Sequence, residues 1–167
     1  SMVKKVQETD LEPDVTEILI DDAIVNQPFS REFKVKYSDI PLLQYVISDS
    51  HDLGLKLTST PAIANDCGDW GEYTFTLTGE SPYPQDVTET ITFYTSAGDE
   101  VKIPVTITAT LSDTYYFNQQ AGNWGDLNNW QVKEETTPNI LPTASNPVVI
   151  TQPMTIKEGE LVAYSVA

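Results

Sequence analysis

"VTETITFYTSAGDEVKIPVTITATL", residues 87–111, decides the fold class of this chain. Ile91 and Phe93 alternate with threonine and tyrosine in its first half; Val101, Ile103, Val105, Ile107 and Ala109 alternate mainly with polar residues in its second. Successive side chains of an extended strand point to opposite faces, so this spacing gives each half one apolar and one outward face. "AGDE" (97–100) between them supplies the Gly and Asp of a tight reversal. The expectation is two long antiparallel strands joined by a hairpin. Pro104 has no N–H to give to a ladder, which predicts a sheet edge or a bulge at that point.

Working back towards the N-terminus, the same period recurs in "EILI" (17–20), "FKVKY" (33–37), "LLQYVIS" (42–48), "LGLKLTS" (53–59) and "YTFTLTG" (73–79). Turn-forming clusters separate these runs, among them "NQPFS", "SDSHD" and "GESPYPQ", and no helical periodicity intervenes. Seven short strands within about 100 residues predict an immunoglobulin-like β-sandwich over residues 15–112. Its expected core is Phe33, Val35, Leu55, Leu57, Phe75, Leu77, Phe93, Ile103 and Val105. Residues 1–14 are polar and aperiodic and read as a flexible lead-in. Ser1-Met2 reads as a cleavage remnant, and the chain as an excised piece of a longer protein.

After Ser112 the texture changes. Residues 113–167 hold three short apolar runs, "VVI" (148–150), "MTI" (154–156) and "LVAYSVA" (161–167), and prolines at 138, 142 and 147. The fold class expected is therefore all-β, an immunoglobulin-like sandwich followed by a small, truncated β-rich segment. "AGNWGDLNNWQ" (121–131) places Trp124 and Trp130 among Gly, Asn and Asp. Two readings stand for them. In one the indoles are structural, covering an apolar end that three short strands cannot bury. In the other, Trp124, Trp130, Tyr115 and Tyr116 stack on sugar rings while Asn128 and Asn129 bind hydroxyls.

The chain has 25 Asp and Glu against 9 Lys and Arg, a formal charge of -16. Such a surface repels phosphate backbones and anionic lipid, which argues against nucleic acid as a partner. No apolar run is long enough for a transmembrane helix, so direct membrane insertion is not expected. Cys67 is the single cysteine, which rules out an intrachain disulfide and a multi-cysteine metal site. In "NDCGDWGEY" (65–73), Asp66, Asp69 and Glu72 offer oxygen ligands of the kind Ca²⁺ takes, but without EF-hand spacing. An acidic loop is the plainer reading, and no cofactor is expected. His51 lies between aspartates in "DSHD" (49–52) and reads as a solvated turn histidine. Glu134, Glu135, Glu158 and Glu160 lie in polar loops without the apolar surroundings that raise a catalytic carboxyl. No catalytic constellation emerges, so an enzyme is not expected.

Two resemblances extend this reading. Residues 15–111 resemble the hydin-like (ASH-type) immunoglobulin-like domains repeated in large bacterial surface proteins, on "AIVNQPFSREFKVKYSDI" (23–40) and the closing hairpin at 87–111. That resemblance implies a spacer or interaction module without catalytic residues. Residues 117–150 resemble the opening segment of secreted bacterial β-solenoid proteins, on Gly122, Trp124, Trp130, Pro142 and Val148-Val149-Ile150. Asn146 and Pro147 stand where many versions carry Asp before the apolar strand. Such solenoids occur in adhesins and in polysaccharide lyases. The function these features imply is a non-catalytic structural or interaction module of an exported bacterial cell-surface protein, spacer or adhesin-like. Its partners would be neighbouring domains of the same protein, and protein or glycan at the cell surface. A carbohydrate-binding module, or the N-terminal fragment of a polysaccharide-degrading β-helix enzyme, are the alternatives.

Overall fold

The computed structural model describes residues 11–37, 43–63 and 71–167. Among these, helix is confined to two single turns, Leu127–Asn129 and Lys133–Glu135; the regular structure is otherwise β. The chain divides into two compact units. The first runs to Thr108 without the turns Ile24–Gln27 and Ser81–Pro84; the second takes those two turns and Ala109–Ala167. The boundary thus falls a few residues before the one expected at 112.

The first unit is a sandwich of two four-stranded sheets. Its strands are β1 (Leu11–Pro13), β2 (Ile18–Ile24), β3 (Phe29–Tyr37), β4 (Leu43–Ile47), β5 (Lys56–Thr60), β6 (Gly71–Gly79), β7 (Gln85–Thr95) and β8 (Glu100–Thr110). One sheet has the order β1-β3-β6-β5, the other β2-β8-β7-β4. This is the immunoglobulin arrangement, with the first strand divided between the sheets. β3 and β6 pair antiparallel with Phe33 opposite Phe75, so both rings stand on the inner face. All nine residues expected in the core are buried. Their rings form one cluster: Phe75 lies 5.6 Å from Phe33 in its own sheet, and 4.9 Å from Phe93 and 6.0 Å from Tyr45 in the other. The Tyr45 hydroxyl crosses between the sheets to donate to Leu57 O at 2.9 Å. Gly79 is required for space: a Cβ there would lie 2.6 Å from Phe29 and 2.7 Å from Leu55.

Three expectations need correction. Residues 11–14 are not a flexible lead-in. Leu11–Pro13 pairs with β3, and Asp14 exchanges bonds with Lys34 through both its backbone N–H and its carboxylate. An edge strand needs only backbone partners, so it leaves no alternating pattern to read. The described residues accordingly give the sandwich eight strands rather than seven. Nor is the Pro104 strand an edge, because β8 lies between β2 and β7. Pro104 sits on the exposed side of the strand, and the buried alternation runs unbroken from Ile103 to Ala109.

The second unit is built differently. Its strands are β9 (Tyr115–Phe117), β10 (Gly122–Asn123), β11 (Trp130–Gln131), β12 (Pro147–Ile150), β13 (Met154–Thr155) and β14 (Ser165–Val166). β12 pairs parallel with both β9 and β14, and β13 pairs parallel with β10. The chain therefore makes one pass through β9 and β10 and a second, stacked on the first, through β12 and β13. β14 adds a further parallel strand on the outer side of β12. β11 closes the other edge, antiparallel to β9. Tyr115, Phe117, Trp124, Trp130 and Val148 form the core, with Leu141, Ile150, Met154 and Ile156 packed against it.

Candidate functional site

The tryptophan segment does not present a sugar platform. Trp124 and Trp130 are both 0% exposed, so neither ring has a face for a ligand. They meet edge to face at 4.8 Å, and Trp130 also meets Phe117 at 5.0 Å. Trp130 Nε1 donates to Trp124 O at 2.8 Å, while Trp124 Nε1 is buried without a hydrogen-bond partner. Tyr115 is buried too, and its hydroxyl donates to Ile140 O at 3.1 Å. Burial first, then the nearby Asp113 charge, pushes its phenol above the usual value, so it stays neutral.

The polar neighbours of the indoles are structural as well. Asn129 is buried; its Nδ2 donates to Asn123 O and its Oδ1 accepts from Gln120 Nε2. The turn amide before Trp130 is satisfied by Asp126, whose carboxylate accepts from Asn128 N at 3.0 Å. Asn128 is exposed. Gly122 and Gly125 serve close approach: a Cβ on Gly122 would lie 2.5 Å from Asn129 Nδ2, and one on Gly125 2.8 Å from Glu160 Oε2. Asn146, where the resemblance calls for Asp, accepts from Thr143 N and Oγ1 and donates to Asp113 O. It ties the turn before β12 to the chain ahead of β9.

Of the aromatic residues proposed for sugar contact, Tyr116 alone faces solvent, at 41% exposure. It stands on the outward face of β9, opposite Gln131 on β11 and Val149 on β12. Beside it lies an open groove of about 510 Å³ lined by Tyr116, Asn118, Gln131, Lys133, Glu134 and Glu135, among others. Three amides form a chain across it: Gln119 Nε2 to Asn118 Oδ1 (2.7 Å), Asn118 Nδ2 to Gln131 Oε1 (3.1 Å) and Gln131 Nε2 to Glu135 O (3.3 Å). Lys133 Nζ is held by Asp113 at 3.0 Å. Glu134 and Glu135 both adopt left-handed backbone, φ 58° and 56°. Two successive non-glycine residues in that region store strain of about 1–3 kcal/mol each.

The remaining candidates are scattered. Asp66 and Asp69 lie outside the described residues, and Glu72, on β6, faces Lys34 Nζ at 3.7 Å. Among the described residues no three His, Cys, Asp or Glu side chains come together as a metal site. Glu158 is exposed, and Glu160 accepts from Lys157 N in a turn.

His51 is not the simple solvated turn residue expected. Its Nδ1 lies 2.9 Å from Glu89 Oε1, and Glu89 is buried on the inner face of β7, in step with Ile91 and Phe93. Glu89 also accepts from Ser50 N at 2.7 Å and Ser50 Oγ at 2.6 Å. This set does not form a nucleophilic triad: Ser50 Oγ and Glu89 both lie at Nδ1 of the histidine, whereas a triad places them on opposite ring nitrogens. Burial pushes the Glu89 carboxyl up, but the hydrogen bonds from Ser50, His51 and Ser48 outweigh it and hold it below the usual glutamate value. A depressed folded value means that this contribution is present above the unfolded value and is lost as pH falls through the folded one. Glu89→Gln is therefore expected to cost about 1–3 kcal/mol at neutral pH. The gap to wild type should narrow below about pH 4. Urea unfolding at both pH values checks it; a gap independent of pH would refute the ionic account.

No family model matches the chain, and no curated protein matches it. Among solved structures, a Bacteroides ovatus GH5 xyloglucanase in complex with a XXXG heptasaccharide aligns with 86% of this chain and 37% of that chain, at 12% identity and a TM-score of 0.43. The chain thus spans little more than a third of that protein's length.

Proposed function

We propose that this protein is a non-catalytic structural and interaction module of an exported bacterial cell-surface protein. The sandwich acts as a spacer, and residues 113–167 form the start of a parallel β-solenoid. One observation carries this reading. The passes β9–β10 and β12–β13 stack in parallel over a core of Tyr115, Phe117, Trp124, Trp130 and Val148. The richest aromatic segment of the chain is thereby committed to holding a coil together. Stacked passes of this kind bury a continuous core by repetition, and their work is to set distance and display surface.

The outer faces of the sandwich fit a well-solvated setting. Thr88 and Thr106 pair across neighbouring strands at 3.2 Å, and Thr108 reaches Asp86 at 3.3 Å. The net charge of -16 favours solubility over association.

Two measurements test the proposal. Incubation of the purified 167-residue protein with soluble polysaccharides is expected to give no turnover; turnover abolished by a single carboxylate substitution overturns the non-catalytic reading. Antibody raised against the sandwich is expected to stain intact cells that make the full-length protein. Staining only after permeabilisation overturns the surface reading.

A further inference from the structure

We propose that the groove beside Tyr116 is a contact site for a neutral, equatorially linked glycan. The site is distinct from the buried indoles and goes beyond the spacer role proposed above.

The argument begins with the ring. β9 buries Tyr115 and Phe117 and turns Tyr116 outward between β11 and β12, so its ring stands within a sheet face rather than at an edge. An aromatic ring held there offers a flat, weakly polar surface. The axial C–H face of a β-1,4-linked pyranose matches such a surface. The polar lining completes the match. Asn118 and Gln131 are fixed in the amide chain, yet each –NH₂ carries a second N–H that this chain leaves free. Glu134 and Glu135, exposed on a strained turn, present carboxylates as acceptors for sugar hydroxyls, a charge-assisted pairing stronger than a neutral one.

Charge selects among ligands. The one ammonium lining the groove, Lys133, is already paired with Asp113, which leaves the two glutamates uncompensated there. An acidic polysaccharide is repelled by that rim and by the overall charge of -16. A cationic peptide is drawn to those carboxylates, but it uses them alone and leaves the ring face and the spare amide N–H groups without a match. A neutral sugar uses the ring, the amide N–H groups and the carboxylates together.

The test is titration calorimetry of the 167-residue protein with cellohexaose and with mannohexaose, beside hexalysine as the cationic probe. Binding of at least one hexaose is expected, weakened about tenfold or more by Tyr116→Ala, the loss of one aromatic stack. Glu134→Gln should weaken it less. Neither variant is expected to move the thermal transition, because both side chains are exposed. Amide chemical shifts give a second readout that needs no variant: hexaose-induced changes should concentrate at residues 116, 118, 131 and 134. The proposal is overturned if neither hexaose binds at about 10 mM. It is equally overturned if Tyr116→Ala binds as wild type, if the shifts map elsewhere, or if hexalysine alone binds in a salt-sensitive way. Failure here leaves the turnover and staining outcomes untouched, so the two proposals fail separately.

Discussion

Trp130→Ala is expected to unfold the C-terminal unit while leaving the sandwich transition in place. Trp130 is 0% exposed and sits at the centre of that unit's core, meeting Trp124, Phe117 and Tyr115 edge to face. Truncating a buried indole to a methyl costs about 3–5 kcal/mol in transfer and cavity terms. It also strands Trp124 O, which accepts from Trp130 Nε1 at 2.8 Å. This core has little with which to offset the loss: five buried residues hold together strands of two to four residues each. Stability of order 5–15 kcal/mol is usual for whole domains, and a unit of this size lies towards the low end. Hydrogen exchange should show protection lost in β9, β11 and β12 and kept in β3, β6 and β7. Proteolysis should accelerate between residues 115 and 167. Trp130→Phe, which restores the ring but not the donor, should recover most of the protection. A loss below about 1 kcal/mol would mean that the strand ladders, rather than the indole, hold the unit together.

The contrast between the two units explains what could be read from the sequence. The sandwich strands run up to 11 residues, long enough for a period of two to stand out, and the alternation identified all nine core positions. Where that reading failed, the element lacked a side-chain signal. β1 is only three residues long, too short for alternation to show. Glu89 occupies an inward position that the alternation of Ile91 and Phe93 already marks, yet a carboxylate there reads as solvated until its partners from the Ser48–His51 turn are seen. In the C-terminal unit no strand exceeds four residues, and the parallel pairings β9–β12 and β10–β13 join residues about 30 apart, so periodicity had nothing to act on. The indoles were ambiguous for the same reason. Their polar neighbours suggested a surface, and only the closing of β9, β11 and β12 around them shows that Asn129 is buried beside the indoles while Asn128 stays exposed. Tyr116 was grouped with Tyr115 by adjacency. In a strand, adjacency means opposite faces, and that rule applied to "TYYF" (114–117) would have separated the buried ring from the exposed one.

The sandwich has its own single point of failure, and Phe75→Ala should expose it. Phe75 is 0% exposed and touches aromatic rings of both sheets: Phe33 and Tyr73 in its own, Tyr45 and Phe93 in the other. Removing the ring deletes its contacts with Tyr45 and Phe93 across the sheets and leaves a cavity that rings held by paired strands cannot collapse to fill. The expected loss is about 3–5 kcal/mol, read from urea denaturation. Phe75→Leu keeps more of the volume and should lose less. The alternative account is that the sheets are held chiefly by their flanks, by Ile20, Val35, Ile103 and Ile107, all at 0% exposure, with the rings as filler. Under that account Phe75→Ala costs below about 1 kcal/mol and Phe93→Ala likewise. Phe93 decides between the two, because it faces both Phe75 at 4.9 Å and Phe33 at 6.0 Å. If the rings act as one cluster, the double variant should lose less than the sum of the singles, since each deletion removes the same ring-to-ring contact.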